Sequence, residues 1–142
     1  MLIRDFKQGR AILTRLDHGA DIISQITNLA EENGIEAGAL SAIGALSRAK
    51  LGYYDQLSHE YGIISLEEPV ELASCLGNIS LRDGRPFVHA HAVVSNREGK
   101  TWGGHLTSGT IFAAEVYLQE LSGLPLIRVS DSITDLKLWG KE

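Results

Sequence analysis

One helical segment followed by a long series of strand-like segments constrains the fold of this 142-residue chain more than any other feature. The stretch DHGADIISQITNLAEENG, residues 17–34, spaces its apolar residues as on one face of a helix: Ile22, Ile23, Ile26, Leu29 and Ala30. Asp21 suits the start of that helix, and Gly34 suits a left-handed residue at its end. Since this is the one convincing helix, the chain lacks the crossover helices that parallel strands require.

The rest of the sequence has the character of successive strands. Short β-branched or aromatic-containing runs alternate with Gly, Pro, Asn and Asp: AILTRL, EAGALSAIGALSRAKLGYYD, YGIISLEEPVELASCLGNISL, PFVHAHAVVS and GTIFAAEVYL. We therefore predict an α+β fold with one principal flanking helix and a mainly antiparallel sheet. Glycines within or beside the strands indicate bulges or close backbone approach, so the sheet should be curved; they include Gly52, Gly77, Gly103 and Gly104.

Composition narrows the class of protein. With 44% hydrophobic and 22% charged residues and no linker-like stretch, the chain is predicted to form a single domain over residues 1–142. A net charge of −5 repels phosphate and argues against a broad nucleic-acid-binding surface. The lone Cys75 suits a reducing compartment, and neither a signal peptide nor a membrane span is evident. We predict a cytoplasmic protein with no membrane partner.

Two predicted strands, ALSAIGAL and VELASCLG, are apolar or small on both faces. A domain with one helix has little of its own to cover the second face of such strands. This pattern predicts that a subunit interface supplies the second cover.

The stretch PFVHAHAVVSNREGKTWGGH, residues 86–105, holds three of the five histidines. In an extended strand His89 and His91 point to one side, while Val88, Ala90, Ala92 and Val94 line the other. The link NREGK suits a three-residue hairpin loop with Gly99 in the left-handed position. That loop pairs Asn96 with Lys100, and it places His91 opposite His105 and His89 opposite Thr107.

This register predicts that His89, His91 and His105 converge on one face. Their side chains could close around an ion such as zinc with bonds of about 2.1 Å, leaving a fourth position open. A one-residue bulge at Gly103 or Gly104 would turn His105 away, so the prediction depends on the turn. The alternative interpretation is a polar sheet face, or imidazoles hydrogen-bonded within an interface.

The remaining candidates are weaker. Glu115, inside the apolar run TIFAAEVYL, could orient a histidine or accept a proton from metal-bound water, or it could be a rim carboxylate on an edge strand. His18 and His59 have no such company and are predicted to be surface residues. Trp102 is predicted to be a packing residue.

Taken together, several motifs resemble the PPC (plants and prokaryotes conserved) domain family. The resemblance runs from about Arg15 to Leu138 and is carried by RLDHGADI, GALSAIGALSRAKLGYYD, ELASCLGNISL, FVHAHAVVS and GGHLTSGTIFAAEVYL. It implies a curved antiparallel sheet with a flanking helix, assembled as a homotrimer. It also implies that His89, His91 and His105 match a histidine cluster at which prokaryotic members hold a metal such as zinc.

The resemblance also raises DNA binding, because the plant members carry this domain after an AT-hook in nuclear proteins. The nearest stretch here is RDGRPF, where Asp83 interrupts the basic core that a hook places in the minor groove. We interpret it as a hairpin turn. Four basic residues could still form a modest patch beside the histidines: Arg82, Arg85, Arg97 and Lys100.

Three functions follow as hypotheses. The first is a stand-alone trimeric module that binds a metal or small ligand, with a possible regulatory role. The second is a metal-dependent hydrolase using the three histidines, with Glu115 as base. The third is DNA binding, which the family resemblance suggests and the net charge opposes.

Overall fold

A long antiparallel sheet and one helix make up most of residues 1–140, the part of the chain that the computed structural model describes. The elements in chain order are β1 (Lys7–Arg15), α1 (Ile22–Glu32), β2 (Gly38–Asp55), β3 (Glu60–Leu66), β4 (Val70–Arg82), β5 (Arg85–Ser95), β6 (Thr101–Ser122), β7 (Arg128–Ser130) and β8 (Lys137–Trp139). The predicted α+β fold with one principal helix and a mainly antiparallel sheet is confirmed. The last two residues of the predicted domain, 141 and 142, lie outside the described residues.

The main sheet bends until it closes on itself. Its strand order is β1-β6-β5-β4-β2-β3, and β6 also pairs with β2, so β6, β5, β4 and β2 form a ring. Closure depends on β6, whose first residues pair with β5 as far as His105 and whose remainder pairs with β2. Strands β7 and β8 form a separate two-stranded pair. The sheet is therefore curved, as the glycine content predicts.

The core lies inside this ring and beneath α1. Along β5 the predicted alternation holds, since Val88, Ala90, Ala92 and Val94 are all buried. The helix packs against β5 and β6. Its fully buried residues are Ile22, Ile26 and Ala30. The apolar spacing therefore identified the buried face of the helix.

Both helix ends are capped as the sequence predicts. The Asp21 carboxylate accepts a hydrogen bond from Ser24 N at 2.9 Å and one from Gly109 N at 2.9 Å, so this cap also ties α1 to β6. At the other end Gly34 has a φ of 64°. Its N–H donates to Glu31 O, and Ile35 N donates to Ala30 O, which together form a Schellman motif.

Two glycines allow strands to approach closely beside the histidines. A Cβ on Gly77 would lie 2.5 Å from His89 O, and one on Gly104 would lie 2.7 Å from Gly52 O. Neither contact is possible for a real side chain. Both positions therefore require glycine.

The outer face of the ring carries large exposed apolar side chains. Ile43 on β2, Leu76 on β4 and Val93 on β5 are 58%, 64% and 41% exposed. Register places them near one another, because Leu76 pairs with Ser41 two residues before Ile43, and Ser74 pairs with Val93. We call these three residues the outer apolar patch. The predicted two-sided apolar character of β2 and β4 is therefore present in the fold.

Within residues 1–140 every helix is too short or too polar to cross a lipid bilayer. The predicted cytoplasmic location stays a prediction.

Candidate metal centre

The hairpin between β5 and β6 has the predicted register. Asn96 N donates to Lys100 O at 3.0 Å, and Gly99 has a φ of 78°. The pairing then runs without a bulge from Ser95 and Thr101 to His91 and His105. Because no shift occurs at the glycine pair, His105 stays on the same face as His91.

The three histidines meet on this face. Ring centroids are separated by 5.1 Å for His89 and His91, 5.2 Å for His89 and His105, and 5.5 Å for His91 and His105. One ring nitrogen from each lies within 4.8 Å of the others. Nitrogen ligands of a tetrahedral zinc ion lie about 3.4 Å apart, so small side-chain rotations would close the set around an ion.

Their surroundings also suit ligand imidazoles. The Nδ1 atoms of His18 and His59 contact Phe112 O and Asp135 Oδ2, whereas within residues 1–140 the three clustered rings have no hydrogen-bond partner. Imidazole nitrogens are good ligands for zinc and similar divalent ions, and these three have no hydrogen-bond partner that would compete with a metal. The donor set therefore fits the metal that the family resemblance implies.

A fork in the sheet creates the space around the cluster. Pairing of β5 with β6 ends at His91 and His105, where β6 turns to β2 and pairs with Gly52. The predicted pairing of His89 with Thr107 is therefore absent, although both residues line one cavity. Residues of the C-terminal segment, 123–140, line the cavities beside the histidines.

Burial keeps two of the rings uncharged at neutral pH. It is the main cause that lowers the pKa of His89 to about 4, and the Arg128 charge and the other two histidines add to the effect. The pKa of His105 is lowered as well, first by burial and then by His91 and Arg128. A neutral imidazole is the form that binds a metal, so little proton competition is expected at pH 7.

These pKa values predict a loss of stability in mild acid. In the unfolded chain His89 titrates near 6.5, so between about pH 6.5 and pH 4 the unfolded state binds more protons than the folded state. The free energy of unfolding of the metal-free protein should therefore fall over this range. Urea denaturation in a chelator at pH 7 and pH 5 measures the loss, which His89→Gln should reduce and the exposed control His18→Gln should not. An unchanged loss in His89→Gln would contradict the assignment.

Glu115 lies away from the cluster. It follows His105 by ten positions on β6, or roughly 30 Å of extended strand, and pairs with Arg15 on one side and Ile43 on the other. The side chain is exposed and lines neither cavity that contains the histidines. At Glu115 β6 is an internal strand, so this residue is not the carboxylate on an edge strand that the sequence suggested.

The predicted basic patch is divided. Arg82 and Arg85 flank the Asp83-Gly84 turn at the start of β5, whereas Arg97 and Lys100 lie in the hairpin beyond its other end. The eleven-residue strand separates the two pairs by roughly 35 Å. The four basic residues do not form one patch, because the two pairs lie at opposite ends of β5, although Arg82 lines a cavity with His89 and His105. The interpretation of RDGRPF as a turn is confirmed, with positive φ at Asp83 and Gly84.

Two other sequence predictions can be placed. Trp102 packs against the core, and Lys100 Nζ lies 4.9 Å from its ring centroid. His18 and His59 are both exposed, as predicted. His59, however, also lines a cavity with the three histidines.

Sequence reasoning missed the walls of the site. A cavity of about 660 Å³ on one side of the histidines is lined by aromatic and aliphatic side chains, among them Tyr54, Tyr61, Ile133 and Leu136. Arg128 lines a second, adjoining cavity of about 500 Å³, which shares Tyr61, His89, His105 and Leu136 with the first. The sequence contains one indication of Arg128, which is a single arginine inside the apolar run PLIRV.

The fold and the site define a class of protein: a curved α+β domain with three convergent histidines on its outer face. Residues 3–122 match the family described as the Plants and Prokaryotes Conserved (PCC) domain, which is the PPC family named above. The chain belongs to this family, and the predicted resemblance is confirmed.

Solved structures of archaeal proteins agree with this assignment. A metal-containing protein of Archaeoglobus fulgidus is 43% identical, with a TM-score of 0.96 over 99% of this chain and all of the other. A plant- and prokaryote-conserved (PPC) protein of Pyrococcus horikoshii is 40% identical, with a TM-score of 0.93 over 100% of this chain and 99% of the other.

Among curated proteins, the bifunctional protein GlmU of Synechococcus sp. (strain JA-2-3B'a(2-13)) is 34% identical over 123 residues. The match takes in 84% of this chain but 18% of that protein. This chain therefore corresponds to less than a fifth of the length of that relative.

Proposed function

We propose that this protein is a homotrimeric PPC-domain module that binds one divalent metal ion, such as zinc, per chain. The observation that carries the proposal is the convergence of His89, His91 and His105, with one nitrogen from each within 4.8 Å. The metal-containing protein of Archaeoglobus fulgidus, 43% identical over nearly the whole chain, supports it. When bound, the ion would supply a Lewis acid with an open coordination position.

The experiment is the metal content of tag-free protein after incubation with zinc and extensive dialysis, measured by elemental mass spectrometry. We expect about one zinc ion per chain. Protein that keeps no zinc after this treatment would reject metal binding and leave the histidines as ligand-binding or interface groups.

The trimeric state is proposed from the outer apolar patch. Ile43, Leu76 and Val93 form an exposed apolar surface on three adjoining strands of the ring, and His91 lies directly opposite Leu76. A second copy of the chain is the occupant we propose, because the family resemblance implies a homotrimer and small residues flank the patch. These are Ala39, Ala45, Ala73 and Ala113.

This proposal predicts a trimer in sedimentation equilibrium at micromolar concentration. Ile43→Glu should shift the protein toward monomer, because a carboxylate is costly in an apolar interface. Leu57→Glu is the matched control, since Leu57 is 97% exposed in the β2–β3 turn. A wild-type protein that sediments as a monomer would overturn the proposal.

A metal-dependent hydrolase is the second candidate. Glu115 lies too far from the histidines to serve as base, but His59 lines their cavity and its Nδ1 lies 2.7 Å from Asp135 Oδ2. Such a pair could remove a proton from a nucleophilic water. Zinc-dependent turnover of ester or phosphoester substrates, lost in His59→Ala, would support this function, and a zinc-loaded protein inert across both classes would reject it.

DNA binding and a regulatory role stay predictions. The division of the basic residues between two distant turns adds to the objection from the net charge of −5.

A further inference from the structure

Arg128 is a buried guanidinium that has only neutral acceptors. It is 9% exposed, and its Nε, Nη1 and Nη2 donate to Ser80 Oγ at 2.8 Å, Lys137 O at 2.9 Å and Asn78 Oδ1 at 3.0 Å. The ion pairs found within residues 1–140 join Arg10 to Glu120, His59 to Asp135, and both Arg82 and Lys137 to Asp83, and none of them includes Arg128.

Such a charge is costly in the absence of a counter-ion. The rings of Phe87 and Trp139 lie 5.2 Å and 5.9 Å from the guanidinium carbon and offset part of that cost. Three hydrogen bonds hold the guanidinium in place, so its orientation is fixed before any ligand arrives. The structure therefore maintains a positioned positive charge that no group in the described chain neutralises.

This charge lies beside the histidine cluster. Asn78, which accepts from Arg128, is the register partner of His89. Arg128 also lines two cavities that contain His89, one of which contains His105 as well. This space is therefore open to a ligand that contacts both the guanidinium and the histidine face.

A bound divalent ion would add to the positive charge at the site and would further favour an anionic ligand. Three neutral imidazoles leave the full double charge of the metal uncompensated, and Arg128 adds another positive charge nearby. Both lie in a partly buried space, where charges are screened less than at the surface. The open coordination position should therefore favour a negatively charged ligand.

The remaining walls favour a carboxylate over a phosphate. Lys137 Nζ lies 2.8 Å from both carboxylate oxygens of Asp83, so this nearby cation already has a partner. Arg82 lines the same cavity, and its Nε lies 3.8 Å from Asp83 Oδ2. That leaves Arg128 as the cation in residues 1–140 that faces the cluster without a carboxylate. The adjoining cavity is aromatic and aliphatic, with Tyr54, Tyr61 and Ile133. Such a cavity suits the body of a singly charged organic acid.

We propose that this site binds a small organic carboxylate, with its charged group between Arg128 and the histidine-held metal and its apolar part against Tyr54 and Tyr61. The inference rests on the proposed metal binding. Arg128 and Ile133 belong to residues 123–140, beyond the residues 3–122 that match the family. The C-terminal segment therefore supplies the positive charge and part of the apolar wall of the proposed site.

Isothermal titration of zinc-loaded protein with benzoate tests the proposal, with inorganic phosphate as the competing anion. We expect benzoate to bind, and its Kd to rise at least about tenfold in Arg128→Gln, because a charge-assisted bond is lost. The Kd of Arg128→Lys, which keeps the positive charge, should lie between those of wild type and Arg128→Gln. Arg85→Gln is the matched control, because Arg85 is exposed at the first position of β5. Thermal melting of each variant, together with its zinc content, confirms that fold and metal are retained.

The outcomes separate this inference from the proposed metal binding. If zinc does not bind, metal binding fails, and benzoate binding to the metal-free protein that Arg128→Gln abolishes would still support Arg128 as the anion site. If zinc binds but benzoate does not, or binds wild type and Arg128→Gln equally, the inference is overturned while metal binding stands. Phosphate binding more tightly than benzoate would overturn the assignment to carboxylates.

Discussion

Zinc affinity should fall by at least about 100-fold in the double variant His89→Ala/His105→Ala. Loss of a group that merely orients a metal ligand costs roughly 10- to 100-fold in affinity, and this variant removes two of three ligands outright. A single remaining imidazole, His91, is exposed and offers no chelate. A competition titration against a chromophoric zinc chelator measures the change.

The matched control is His18→Ala/His59→Ala, which also removes two imidazoles but leaves the cluster intact. Its zinc affinity and stoichiometry should equal those of wild type. If both double variants bind zinc as wild type does, the metal lies elsewhere and the hairpin histidines have another role. The double variant His89→Ala/His105→Ala should fold, because it leaves untouched the core residues on the opposite face of β5: Val88, Ala90, Ala92 and Val94.

Gly44→Ala should destabilise the protein by about 2 to 6 kcal/mol, the combined range for backbone strain and overpacking. Gly44 has a φ of 149°, which side-chain-bearing residues rarely adopt. A Cβ there would lie 2.2 Å from Ala113 O and 2.7 Å from Ala114 Cα, both backbone atoms of β6. Because β6 is the strand that closes the ring, it cannot shift here without disturbing its pairing with β2.

Gly62→Ala is the control for this prediction. Gly62 lies on the outermost strand, β3, and a Cβ there would have Tyr53 O as its nearest neighbour at 3.9 Å. Its effect should stay below about 1 kcal/mol. Urea denaturation of both variants measures the difference, and a Gly44→Ala effect as small as that of Gly62→Ala would show that the ring does not close at this position.

Local patterns in the sequence predicted the helix and the histidine hairpin well. Both depend on short-range rules: apolar spacing and caps for Ile22–Glu32, and turn geometry for the loop that ends at Gly99. Once the turn sets the register, the strand period of two places His91 opposite His105. This is why a candidate metal site could be read from one stretch of twenty residues.

Features that depend on distant parts of the chain were not predictable in this way. No local signal shows that β6 leaves β5 at His105 to pair with β2, so the expected pairing of His89 with Thr107 was wrong. Arg128 reaches the site through contacts with β4, and Glu115 is carried away by the length of β6. The residues that line the cavities could therefore be identified only from the three-dimensional structure.

The central claim is that His89, His91 and His105 hold one metal ion per chain. Diffraction from zinc-soaked crystals, measured on both sides of the zinc absorption edge, tests it most directly. We predict one strong anomalous peak per chain, about 2.1 Å from one nitrogen of each of the three rings. An anomalous map with no peak at the three histidines, or with its strongest peak at other residues, would contradict the claim.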